Sequence, residues 1–305
     1  MFRTVIAFVC AAAFALRASA GEPAPEGADP RAAELNAAFE AASGVMVRGP
    51  SDVKVIQQAV LHLPEKYGYI PKKEADRLLK AMGNTPGENE RGMVVPLEAQ
   101  GLPWFAVLSF APEGYIKDDD AKDLDADEIL KSITEGTEAD NERRRLAGFT
   151  EMEVVGWAEA PRYDAATHRL VWSLTLRDKG QPAGAEQGVN YQTRMLGREG
   201  YVALNMVTDL SLLDGYRGDA NTLLAALEFN AGKRYADFNS GTDRVAEYGL
   251  VALVAGVAAK KLGLLALIGV GIAKFWKLTA IAIAGAAAGF KKLFKKQDGG
   301  GPTVA

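Results

Sequence analysis

The stretch Tyr163-Asp164-Ala165-Ala166-Thr167-His168-Arg169-Leu170-Val171-Trp172 gathers most of this chain's capacity for chemistry. Tyr163, Asp164, His168 and Trp172 bring a phenol, a carboxylate, an imidazole and an indole together, enough for a small ligand site or a hydrolytic centre. A carboxylate beside an imidazole fixes its tautomer and raises its basicity, which is the support a general base needs. A hydrolase also needs a nucleophile on a sharp turn, and Gly-x-Ser-x-Gly is absent. His62 and His168 are the only histidines, and Cys10 is the only cysteine. With so few soft ligands, neither a cysteine-zinc site nor a histidine-rich centre can be assembled, so no metal and no cofactor is expected.

Carboxylates are plentiful elsewhere. Asp118-Asp119-Asp120, Asp123, Asp125, Asp127 and Glu128 form the densest run. Asp123-x-Asp125-x-Asp127 imitates the opening of a calcium loop. Glu128 then stands where that loop needs glycine, and Thr134 where it needs a bidentate glutamate. The run reads instead as the solvated start of a helix, favoured by the helix dipole. Neither a Walker-type phosphate loop nor Gly-x-Gly-x-x-Gly is present.

The elements that must position these residues follow from periodicity. Residues 31–43 form a short helix with Leu35 and Phe39 on one face, and Ala75, Leu78, Leu79 and Met82 mark a second helix opened by Pro71. Gly92–Val95 and Trp104–Phe110 read as strands. Residues 123–147 form a charged helix. A meander follows over Met152–Glu159, Arg169–Leu176, Val189–Leu196 and Tyr201–Thr208, turning at Asp164-Ala165-Ala166-Thr167 and Gly197-Arg198-Glu199-Gly200. Residues 219–230 close with a helix N-capped by Asp219. The class is α+β, an antiparallel sheet with flanking helices. Within Arg169–Leu176, alternation puts Leu170, Trp172, Leu174 and Leu176 on one face. Val171, Ser173 and Thr175 share the other, more exposed or helix-covered one. Trp172 is thus a core anchor before it is a ligand platform.

The two ends give an address. Arg3, the apolar Val5–Leu16 and Ala18-Ser19-Ala20 make a secretory signal over residues 1–20. Residues 21–44 are a linker with a short helix, 45–243 the exported domain, 244–297 a membrane anchor and 298–305 a cytoplasmic tail. The domain and its linker, residues 21–248, hold 25 basic and 38 acidic side chains, a net of −13, which argues against nucleic acid as a partner. The apolar stretch from Gly249 is interrupted by Lys260-Lys261 and Lys274-Phe275-Trp276-Lys277 and ends in Lys291, Lys292, Lys295 and Lys296. Those last four lysines hold the C-terminus in the cytoplasm, so the chain crosses the lipid bilayer an odd number of times, as a single pass. A crossing helix covers either 249–273 or 262–290. The interfacial belt of Lys274, Trp276 and Lys277 favours the first. Gly285-x-x-x-Gly289 offers a close helix approach for self-association.

Further blocks carry a resemblance. Tyr163-Asp164, Thr167-His168, Leu170 and Trp172-Ser173-Leu174 are similar to the central signature of a bacterial family of predicted membrane-anchored proteins, domain of unknown function 2167. So are Val189-Asn190-Tyr191, Leu196-Gly197-Arg198 with Gly200-Tyr201, Gly232 with Arg234-Tyr235 and Asp237-Phe238, and Ala246-Glu247-Tyr248-Gly249-Leu250. The resemblance covers about residues 45–296. It implies a Gram-negative envelope protein anchored in the inner membrane, and it brings no catalytic residues. The function expected is a non-enzymatic interaction or scaffold module with an envelope partner. The alternative is an envelope hydrolase or ligand-binding protein with its site at Tyr163, Asp164 and His168.

Overall fold

The computed structural model describes residues 30–98, 102–146 and 148–255. The expected signal segment and everything after Ala255, including Lys274, Trp276, Lys277, Gly285, Gly289 and the lysines from Lys291 on, lie outside the described residues. In chain order the elements are α1 (Pro30–Val45), β1 (Val47–Arg48), β2 (Ser51–Val55), β3 (Ala59–Leu63), β4 (Tyr67–Pro71) and α2 (Lys72–Ala81). Then come β5 (Glu90–Pro96), β6 (Trp104–Ala111), α3 (Ala126–Leu146), β7 (Met152–Asp164), β8 (Arg169–Asp178), β9 (Gly188–Leu196) and β10 (Tyr201–Asp209). The described part closes with α4 (Leu213–Ala225), β11 (Leu227–Phe229) and α5 (Leu250–Ala255).

Eight strands form one antiparallel sheet in the order β1-β4-β5-β6-β10-β9-β8-β7, and β11-β3-β2 form a second. The fold is mixed α/β with a large antiparallel sheet and flanking helices. One face of the large sheet has two helical covers. Toward β5 and β6, Met93, Val95, Phe105 and Val107 meet Ala38 and Ala42 of α1 and Leu78 and Leu79 of α2. Toward β8, Leu170, Trp172 and Leu174 meet Ile129 and Ile133 of α3 and Leu250, Leu253 and Val254 of α5. The opposite face, with Leu108, Val171, Tyr191 and Leu204, packs against Val55, Leu61 and Leu227 of the small sheet and Leu223 of α4.

Local chemistry sets several boundaries. Pro71 stands at the N-cap of α2, and Gly83 at φ 85° turns the chain away after it, a conformation that glycine adopts without steric cost. Asp125 caps α3, its Oδ1 accepting from the backbone N–H groups of Asp127 (2.9 Å) and Glu128 (3.0 Å). The calcium-like run is therefore a helix cap followed by acidic first-turn residues.

Val171, Ser173 and Thr175 alternate with the leucines as expected, and their face is the covered one: Ser173 is fully buried, under α4 and, beyond what was expected, the small sheet. Two expectations are corrected. The closing helix begins at Leu213 rather than Asp219 and ends at Ala225, and Leu227–Phe229 is a strand paired with β3. Asp219 caps nothing. Its Oδ1 accepts from Lys66 Nζ (2.7 Å) and from the Tyr67 hydroxyl (2.6 Å).

Candidate functional site

Tyr163 ends β7 and His168 precedes β8, so the turn between these strands decides whether their side chains meet. Asp164 builds that turn. Its Oδ1 accepts from the Ala166 N–H (2.9 Å) and its Oδ2 from the Thr167 hydroxyl (2.7 Å). These bonds hold its carboxyl below the usual range, the Thr167 hydroxyl contributing most. His168 closes the turn at φ 50°, a left-handed conformation that few non-glycine residues adopt.

The turn brings Tyr163 and His168 together and adds a third group that sequence reasoning left in a solvated run. The Tyr163 hydroxyl donates to Asp118 Oδ2 at 2.7 Å and lies 3.0 Å from His168 Nδ1. His168 Nδ1 is 3.7 Å from the same Asp118 oxygen. Behind them the His168 ring lies on Tyr235 (centroids 4.0 Å apart), Tyr235 on Tyr115 (4.4 Å), and Tyr115 on Phe238 (3.8 Å). The Tyr235 hydroxyl donates to the Ile116 carbonyl at 2.9 Å. Burial, and then the neighbouring Asp118 carboxylate, push the Tyr163 phenol far above its ordinary pKa. Tyr235 moves the same way, burial again being the main cause. Both phenols stay protonated and act as donors. A phenol held in that state is a poor nucleophile and a poor general base, so the cluster fastens chain segments together more readily than it activates a substrate.

Trp172 lies elsewhere. It is buried in the core, with the Arg194 guanidinium 5.0 Å from its ring centre. The four residues singled out in sequence thus divide. Tyr163 and His168 meet, Asp164 shapes their turn, and Trp172 anchors the sheet. A small cavity lined by Thr137, Asn141, Met152 and Leu176 shares no residue with the cluster.

The cluster sits where the segment after β6 is zipped to the segment leading into α5. Tyr115 N–H donates to the Arg244 carbonyl (2.8 Å), and Ala246 N–H donates to the Tyr115 carbonyl (2.8 Å). Gly114, at φ 92°, must be glycine because a side chain there would press on the Arg244 carbonyl. Two residues past Asp118, Asp120 accepts from the N–H groups of Leu250 (2.9 Å) and Val251 (3.1 Å), capping α5. Gly249 leaves room for that carboxylate, since a Cβ there would collide with it. From the β9–β10 turn, Arg198 grips both oxygens of Asp243 (2.7 and 2.8 Å) and donates to the Gly232 carbonyl (3.2 Å). Residues from four of the blocks, Tyr163, His168, Arg198, Tyr235, Phe238 and Leu250, therefore converge on one joint. Tyr235 and Phe238 stood in those blocks, which was a usable signal. Asp118 and Tyr115 had none.

No curated protein matches the sequence. Among solved structures, the cyanobacterial PsbP protein of Synechocystis is similar at a TM-score of 0.34 and 9% identity, over 56% of this chain and 86% of that one. The Ran-binding protein Mog1p of Saccharomyces cerevisiae is similar at 0.31 and 9%, over 58% of this chain and 94% of that one. Likenesses of this size extend to neither function nor partner. A family model spans residues 47–284, taking in every block that meets at the joint, and by that match the chain belongs to the family described as Protein of unknown function (DUF2167).

Proposed function

We propose that this protein is an envelope interaction module, exported by its signal, tethered to the inner membrane by its C-terminal segment, and without catalytic activity of its own. The observation that carries this reading is the joint. The one cluster that sequence marked as a possible catalytic centre consists of protonated phenols and rings, and it locks the β7–β8 turn to the chain leading into α5. Such an arrangement fastens the segment leading into α5 to the body of the domain, which suits a tethered binding module.

The packing of α5 also bears on the crossing. Leu250, Leu253 and Val254 are buried in the domain core, so a lipid helix beginning at Gly249 would have to pull them out. A crossing over 256–273 avoids this. Its 18 residues reach about 27 Å as a helix. Lys260 and Lys261 lie near its outer end, where their stems allow the ammonium groups to reach the interface. Lys274, Trp276 and Lys277 then form the inner belt, with the remaining lysines in the cytoplasm.

A reporter phosphatase that is active only outside the cytoplasm tests the topology. Fused after Glu247 it is expected to be active, and fused after Lys296 inactive. Activity at the second position overturns the single crossing. For the module itself, the full chain extracted in mild non-ionic detergent is expected to elute with an envelope protein or with a second copy. Elution as a bare monomer in every extraction contradicts the interaction role.

A further inference from the structure

The large sheet carries a polar stripe between its two helical covers. On β9 the face that bears Leu196 also presents Asn190, Gln192 and Arg194, all buried, and Asn205 of β10 continues the stripe beside them. Arg194 is 7% exposed, yet among the described residues no carboxylate pairs with it. Its Nη1 donates to the Thr193 carbonyl (2.8 Å) and to Asn205 Oδ1 (2.6 Å), and its Nη2 to Gln192 Oε1 (3.1 Å). Its Nε has no acceptor, and neither has the buried amide nitrogen of Asn190. Trp172 and Tyr201, from the strands on either side, bring their rings to 5.0 and 5.3 Å of the guanidinium. Cation–π attraction offsets part of the charge and supplies no acceptor to Nε. Glu113 interacts instead with the Tyr248 hydroxyl.

A buried cation is ordinarily paired, because leaving it alone carries the full desolvation penalty. Burial lowers the Arg194 pKa from the ordinary arginine value, an effect that an anion beside it would reverse. Gln192 and Asn205 hold the guanidinium plane by their carbonyl oxygens and the Tyr201 hydroxyl interacts with it from the neighbouring strand, which leaves Nε for an outside acceptor. Asn205 and, one strand further, Ser109 of β6 are partly exposed, so the stripe reaches the surface at that end.

We propose that Arg194 binds an oxyanion of the phosphate class, entering past Asn205. Planar, bidentate N–H donation suits phosphate and phosphate esters. The proposal does not depend on how the chain is tethered. Two sources share this chemistry, free phosphate and the headgroup of an anionic phospholipid, and the test separates them.

The full chain in non-ionic detergent is titrated with inorganic phosphate and, separately, with a short-chain phosphatidylglycerol, following tryptophan fluorescence and the melting temperature. The expected result is a saturable rise in melting temperature with a fluorescence change that Trp172→Phe removes. Response to phosphatidylglycerol alone assigns the site to a lipid headgroup, and response to phosphate as well assigns it to the free anion. Arg194→Met should weaken binding roughly tenfold or more, the usual effect of losing charged hydrogen bonds, and it should fold, because apolar replacement of a buried ion is commonly tolerated. Equal binding by that variant overturns the proposal. So does a flat titration of the unaltered chain with both ligands, whether or not the variant folds.

Discussion

Trp172 and Ser173 are neighbours on β8 that point to opposite faces, both buried, and they answer truncation differently. Trp172→Ala removes a large ring from the helix-covered face and is expected to cost about 3–5 kcal/mol, read as a lower midpoint in a urea melt. Ser173 is fully buried with a hydroxyl that has no partner, so Ser173→Ala sheds a desolvated group and should leave stability within about 1 kcal/mol or raise it. Equal midpoints for the two variants would mean that the core does not rest on Trp172. Tyr163 gives a pH signature. Its folded-state pKa is raised, so its stabilising effect is complete below the unfolded value near ~10 and is lost as pH rises through the folded one. Tyr163→Phe has no such loss. The gap between the two melting temperatures should therefore narrow in alkaline buffer, and a constant gap would contradict the buried donor.

At the scale of elements, the joint makes two further predictions. Asp243 is held below the usual carboxylate range, first by Arg198 and then by the Asn239 N–H. A depressed folded pKa gives stability that is present above the unfolded value near ~3.9 and disappears as pH falls through the folded one. Asp243→Asn should thus lower the melting temperature near neutral pH, the difference shrinking steadily as pH falls below the unfolded value near ~3.9. Asp120→Ala removes the cap of α5 and should weaken that helix by about 1 kcal/mol. The readout is faster protease cleavage between residues 249 and 256, with unchanged cleavage elsewhere. β8, β9 and β10 were legible in sequence to within two residues, because they are apolar-rich runs that end at turn residues, whereas β7 runs five residues past the expected Glu159 to Asp164. Two strands of the small sheet, β3 and β11, were not. Ala59–Leu63 is short, and Leu227–Phe229 follows a good helix former run, so only the pairing of Leu227 with Leu61 makes it a strand. Asp219 looked like a cap by type and position, but Lys66 and Tyr67, brought to it by the fold, compete for its oxygens. Tyr163 and His168 could be read because a hairpin joins them. Asp118 could not, since 45 residues separate it from Tyr163 and a carboxylate in an acidic run carries no mark of its partner.

Across the whole molecule, the large sheet keeps its borders short or irregular. β1 has two residues, and β7 slips register at three places along β8, which discourages strand addition by a second copy. The middle of the sheet has a different consequence, one of timing. β6 pairs with β5 on one side and with β10 on the other, and β10 follows about a hundred residues later in the chain. Synthesis at about 5–20 residues per second separates the two by roughly 5–20 s. Through that interval the first half of the sheet waits with Phe105 to Phe110 unpaired along one border, a template for other unfinished chains. A chain stopped after Lys179 never receives β10, and it should collect in aggregates or be degraded, while the chain carried on through Ala255 stays dispersed. Equal solubility of the two would show that β5 and β6 are protected before their partner arrives.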